Sequence, residues 1–157
     1  FGCSGTTLLK NGNSPYWNTK EYTNAKAFLH NIVIVKLGSN DSKSGNWSSH
    51  GSEFESDLTD LVLSLRSLST RPRVFLCTPA IAYSNSFGID DGIITSEIIP
   101  AIQRVAEAQN LTVIDLHTAL RGYGDLFLDG VHPGLEGNRV IATIIYDVLA
   151  KEYSLNK

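Results

Sequence analysis

A parallel α/β sandwich is the fold this sequence predicts, on three observations. Three short runs, Ile32–Leu37, Val74–Thr78 and Thr112–Leu116, are rich in Val, Ile and Leu. They are apolar on both faces, as strands buried between two helical layers are. Each is followed by a segment whose apolar residues recur at helical spacing, and such alternation implies β-α units with right-handed crossovers. The third observation is size: 157 residues, 42% of them hydrophobic and 18% charged, fit one domain, 1–157, that buries roughly two-thirds of the surface its unfolded chain exposes.

The elements follow in order. Residues 1–31 are polar and punctuated by Gly2, Gly5, Gly12 and Pro15, so they read as loop with a short helix near Glu21–Phe28. The first strand ends at Gly38, and residues 39–52, rich in Ser, Asn and Gly, read as a loop. Phe54, Leu58, Leu61, Val62, Leu65 and Leu68 then share one helical stripe, with Ser52 and Glu55 spaced as a capping box. Pro79 stops the second strand. A helix is expected over Ser96–Gln109, with Pro100 near its first turn, where a missing N–H is tolerated. After the third strand comes a glycine-rich loop, then a last helix over Leu135–Glu152 that buries Val140, Ile141, Ile144, Ile145, Val148 and Leu149.

Composition excludes several classes of function. Thirteen basic against sixteen acidic side chains, a net charge of −3 and no Lys/Arg cluster argue against nucleic acid or an anionic membrane as partner. A mean hydropathy of −0.05 and no apolar run near 18 residues predict no transmembrane helix. Cys3 and Cys77 read as two free thiols, too few for a disulfide scaffold. His30, His50 and His117 lack metal-ligand spacing, and Gly122-x-Gly124 is no dinucleotide fingerprint, so neither metal nor cofactor is expected. There is no methionine, so Phe1 reads as following a start that lies upstream. Any targeting signal would lie there too, which leaves the compartment unassigned, with secretion or a periplasmic location among the options.

Three segments carry candidate chemistry. In Asp129-Gly-Val-His132-Pro133 a carboxylate three residues before an imidazole can hold one ring nitrogen and leave the other free as a general base. A surface histidine beside a helix start is the plainer alternative. In Gly38-Ser39-Asn40-Asp41, at the carboxyl end of the first strand, the Asn40 amide can donate to a developing oxyanion, although Gly and Asn also serve ordinary turns. In Gly2-Cys3-Ser4-Gly5-Thr6-Thr7, Gly5 would let a backbone N–H point into the same site. Trp17, Trp47 and His50 lie in flanking segments, where aromatic rings can stack on sugars or pack the loops down.

Taken in order, Gly-x-Ser-Gly-x-Thr, Gly-x-Asn-Asp and Asp-x-x-His-Pro resemble the SGNH, or GDSL, hydrolase family, across all 157 residues. The resemblance implies a flavodoxin-like three-layer α/β/α sandwich and ester hydrolysis through a serine nucleophile. It implies oxyanion donors at Gly5 and Asn40, a base at His132 and an orienting carboxylate at Asp129. Around Gly38–Trp47 and Tyr16-Trp17-Asn18 the chain is most similar to bacterial members that deacetylate carbohydrates. That makes an acylated carbohydrate or small ester the expected substrate. The family's Gly-Asp-Ser motif does not occur here, nor does a Gly-x-Ser-x-Gly elbow. The first strand, and with it the serine, is therefore expected outside this chain. The Ile32–Leu37 edge is expected to need cover from an N-terminal fragment or a partner chain. A non-catalytic sugar-binding or scaffold domain of the same fold is the alternative.

Overall fold

In the computed structural model, residues 1–154 are described. Strands β1 (Ile32–Val35), β2 (Arg73–Cys77) and β3 (Val113–Ile114) form a parallel sheet in the order β1-β2-β3. Ile32 pairs with Arg73 and Val35 with Leu76, then Leu76 with Val113 and Cys77 with Ile114. Alternate residues of a strand face opposite sides, and here the two faces feed two separate cores. Val35, Val74 and Leu76 pack against α3 (Phe54–Arg66) and α5 (Ile99–Gln109), through Phe54, Leu58, Leu61, Ile102 and Val105. Phe75, Cys77 and Ile114 pack against Ile141 of α7 (Leu135–Ser154), with Leu116, Leu120 and Phe127 closing that side. The result is the three-layer α/β/α sandwich.

Several boundaries differ from expectation, each for a physical reason. The stretch 39–52 is not plain loop: it contains a 3-10 turn at Asn40–Ser42 and a helix, α2 (Ser44–His50). Its sequence, Ser-Gly-Asn-Trp-Ser-Ser-His, is poor in helix formers, so tertiary contacts hold it. The Asn46 amide bonds to Asn13 and to the Asn40 carbonyl, and Trp47 packs on Phe54 with ring centroids 5.6 Å apart. The Ser52–Glu55 capping box does not form. A 3-10 turn at Gly51–Glu53 runs directly into α3, and Glu55 turns outward to pair with Arg104 at 2.6 Å.

The helix expected from Ser96 begins at α4 (Asp91–Ile93), where the Asp90 carboxylate accepts from Ile93 N (3.1 Å). It passes through a π turn, Ile94–Ile98, before α5. That wide turn lies immediately ahead of Pro100, whose ring and missing N–H do not fit a regular α-helical interior. β3 is shorter than expected because Asp115 turns the chain and caps α6 (Leu116–Ala119), accepting from Thr118 N (3.1 Å). Near the start, Thr19 caps α1 (Lys20–Ala27), accepting from Tyr22 N at 3.1 Å.

On the side away from β2, β1 pairs with no strand among the described residues. A cavity of about 410 Å³ runs along this edge, lined by Tyr22, Val33, Val35, Leu61 and Leu65 among others. Ile34, in register with Phe75, is 36% exposed, because α7 covers the β2–β3 half of that face.

Phe54 has no exposed surface and joins α2 to the inner face of α3. Phe54→Ala is expected to lower unfolding free energy by roughly 3–5 kcal/mol in urea titration, as truncation of a fully enclosed ring does. A loss below about 1 kcal/mol would show that the ring does not hold this core together.

Candidate active site

The site is built at the carboxyl ends of the strands, where parallel sheets present their loops. After β1 the chain reverses at Gly38 with φ +120, in the region only glycine enters freely. A Cβ there would come within 3.1 Å of Ile98 Cγ2 and 3.2 Å of Pro79 Cγ. The following 3-10 turn aims Asp41 inward and leaves Asn40 on the cavity wall. The Asp41 carboxylate is fully buried and accepts from Leu8 N (3.0 Å) and Leu9 N (2.8 Å). Loss of water pushes its pKa up to about 6, against the opposing pull of those two N–H groups. The Asn40 carbonyl is held by Asn46 Nδ2 (2.9 Å), while the Asn40 side-chain amide donates to nothing among the described residues.

The partner loop carries Gly5 at φ +79, with open space where a Cβ would sit. The loop is internally tied: Thr6 Oγ1 donates to the Cys3 carbonyl (2.8 Å), Thr7 Oγ1 to the Leu9 carbonyl (3.0 Å) and Thr7 N to the Ser14 carbonyl (2.9 Å). Through Leu8 and Leu9 it docks on Asp41. Gly5 and Asn40 therefore reach the same cavity from two different segments.

The third part is the turn before α7. Asp129 Oδ1 accepts from Val131 N (2.8 Å) and His132 N (2.6 Å), and Oδ2 meets His132 Nδ1 at 2.8 Å. The His132 N–H, then the Val131 N–H, then the ring hold the Asp129 carboxyl down to about 2, so it stays ionised at any ordinary pH. An ionised acceptor on Nδ1 fixes the ring with its proton there and leaves Nε2 free to take one. The turn is fastened from behind by Tyr83 N donating to the Gly130 carbonyl (2.7 Å) and Ser84 Oγ to the Asp129 carbonyl (3.0 Å).

Gly5, Asn40 and His132 line one cavity of about 220 Å³, with Ser4, Ser39 and Phe87 beside them. Such a set can stabilise a negative oxygen at one end and move a proton at the other. No serine hydroxyl hydrogen-bonds to the His132 ring among the described residues. The other three predicted residues lie apart from this cavity. Trp17 donates to the Leu8 carbonyl (2.7 Å) and carries the Lys10 ammonium on its ring at 4.7 Å. Trp47 packs on Phe54, and His50 Nδ1 meets Glu53 at 3.1 Å. Phe87, which nothing in the sequence had marked, stands edge-on to His132 with centroids 5.0 Å apart. Asn46 is buried with its amide occupied.

Residues 1–140 match the GDSL-like lipase/acylhydrolase family. An acetylxylan esterase of Xylanibacter ruminicola is 39% identical over 163 aligned residues, covering 92% of this chain. The chain spans about a third (34%) of that relative's length. Among solved structures, the acetyl xylan esterase AlAXEase superposes with TM-score 0.69 at 23% identity, over 94% of this chain and 78% of that one. Est24, a carbohydrate acetylesterase from Sinorhizobium meliloti, superposes with TM-score 0.74 at 19% identity, over 96% and 76%. At these identities the two structures establish the shared fold.

The buried Asp41 makes a pH prediction with a definite sign. Its pKa is raised in the folded protein, so between pH 4 and 6 the native state binds a proton that the unfolded chain has released. Its contribution to stability is therefore full near pH 4 and declines as pH rises through about 6. The unfolding free energy of the wild type, minus that of Asp41→Asn, should fall by on the order of 2–3 kcal/mol from pH 4 to 7. A flat difference would place Asp41 in water rather than in the clamp.

Proposed function

Since the chain belongs to the GDSL-like lipase/acylhydrolase family, we propose that it forms the oxyanion-binding and proton-transfer parts of a serine ester hydrolase acting on an acetylated carbohydrate. One observation carries the reading: Gly5, Asn40 and His132 meet at one cavity, with Asp129 locked onto His132 at 2.8 Å. The carbohydrate rests on the acetylxylan esterase relative and on the acetylesterases that share the fold.

The reaction runs through two half-steps. His132 Nε2 takes the proton of a serine hydroxyl as the oxygen attacks the acetyl carbonyl. Negative charge then develops on the carbonyl oxygen, where the Gly5 N–H and the Asn40 amide donate to it. Each such donor is worth roughly 2.7–4 kcal/mol in the transition state. His132 next hands its proton to the departing sugar oxygen, leaving an acetylated serine. Water, deprotonated by the same nitrogen, attacks the acetyl carbonyl, and acetate leaves as His132 returns that proton to the serine oxygen. Asp129 remains ionised throughout, keeping the ring oriented and stabilising its charged form.

The serine comes from a segment outside these 157 residues that pairs with the free edge of β1. The unpaired edge and the cavity of about 410 Å³ beside it support that placement. A second reading, favoured by the absence of a serine hydroxyl bonded to His132 among the described residues, is a domain that holds a sugar without cleaving it.

Acetate release from acetylated xylan decides between them, measured on protein that carries the serine-bearing segment. His132→Ala should reduce kcat at least 10³-fold, Asn40→Ala by about 10²–10³, and Asp129→Asn by about 10³–10⁴, each with an unchanged circular dichroism spectrum. Turnover retained by His132→Ala would remove the base assignment, and no acetate from the wild type would favour the binding domain.

A further inference from the structure

Phe87 breaks a local rule. Ser86–Ile89 closes as a tight turn, Ile89 N donating to the Ser86 carbonyl (3.3 Å), and both central residues have positive φ, Phe87 at 60 and Gly88 at 73. Turns of this mirror-image kind favour Asn, Asp or Gly at the first central position. Here that position holds a bulky aromatic ring, which left-handed backbone disfavours. The ring gains little from burial in return, since it is 62% exposed.

What the conformation achieves is placement. The segment is tied to the His132 turn through the Ser84 hydroxyl, which donates to the Asp129 carbonyl, and through Tyr83 N on the Gly130 carbonyl. At its other end Asp90 N donates to Ser42 Oγ (3.0 Å), in the turn that carries Asn40, and Ile89 is buried. Phe87 is thus suspended between the base and the oxyanion side, lining their common cavity, with its ring edge-on to His132 at 73°.

We propose that Phe87 is the platform on which the sugar ring of the departing alcohol stacks. The inference rests on the ester-hydrolase reading and deepens it. If His132 Nε2 delivers a proton to the sugar oxygen, that oxygen lies within about 3 Å of Nε2, and the attached ring lies against whatever borders His132. The apolar C–H face of a pyranose matches an exposed aromatic face. The other predicted aromatics are already occupied, Trp17 under Lys10 and Trp47 on Phe54.

The test is binding of xylotriose, the alcohol-side product, by NMR titration to protein that carries the serine-bearing segment, a readout that requires no turnover. Phe87→Ala should weaken the dissociation constant about tenfold and Phe87→Trp should keep it within about twofold. Phe87→Gly should weaken it as Ala does while raising the thermal midpoint by roughly 2–4 °C, because glycine relieves the positive φ. Affinity unchanged in Phe87→Ala, or no saturable binding by the wild type, overturns the proposal. Because this readout is binding, such a failure leaves the His132 assignment to stand or fall on acetate release.

Discussion

A buried carboxylate, Asp41, ties the N-terminal segment to the turn that carries Asn40. Among the described residues the segment before α1 contributes no strand to the sheet, and its bridge between Thr7 and Pro15 lies within the segment itself. Beside the burial of Leu8 and Leu9 and the Asn13–Asn46 bonds, what docks it is a run of three successive backbone N–H groups: Leu8 and Leu9 donate to Asp41, and Lys10 N donates to Asp57 (2.8 Å). Backbone donors gathered in this way form a site for anions, and here the protein supplies the anions itself. Burying a carboxylate is costly unless such bonds satisfy it. The raised pKa of Asp41 reflects that cost, chiefly through lost solvation and to a smaller extent through the nearby Asp57 charge. The clamp is the direct hydrogen-bonded link between the segments of Gly5 and Asn40, which lie 35 positions apart, and the Asn13–Asn46–Asn40 bonds support it.

The rest of the site follows from the parallel sheet. Each strand delivers its loop to the same end of the molecule, and each loop is tied to its neighbour by a few directed bonds. Ser42 joins the Asn40 turn to the 83–90 segment, and Ser84 joins that segment to the Asp129–His132 turn. Buried His117 adds a further tie, its Nε2 meeting Asp91 (3.1 Å), whose carboxylate also accepts from Ala82 N (2.8 Å). His132 and the Asn40 turn are therefore referenced to each other through one chain of hydrogen bonds. Phe87 occupies the middle of that chain.

The strands were legible in the sequence because they are apolar on both faces, a pattern few loops imitate. The Asp129–His132 couple and the Gly38–Asp41 turn were legible because short spacing alone brings their atoms together. Features set by distant contacts were not. α2 is made of weak helix formers and exists because Asn46 and Trp47 are captured by Asn13, the Asn40 carbonyl and Phe54. The capping box at Ser52 was forestalled by a preceding helical turn, and Pro100 is accommodated by a π turn that no propensity announces. Trp17 and Trp47 could not be divided between sugar stacking and packing from their positions alone. Phe87 carried no periodic or motif signal, and only its backbone conformation and its neighbour His132 mark it.

The most direct test of the account is the denatured intact mass of the purified protein after exposure to a fluorophosphonate, which a serine activated by His132 attacks with loss of fluoride. The account predicts one phosphonyl adduct, which peptide mapping places on a serine outside residues 1–157. An adduct on Ser4 or Ser39, or no adduct on any polypeptide in the sample, would contradict it.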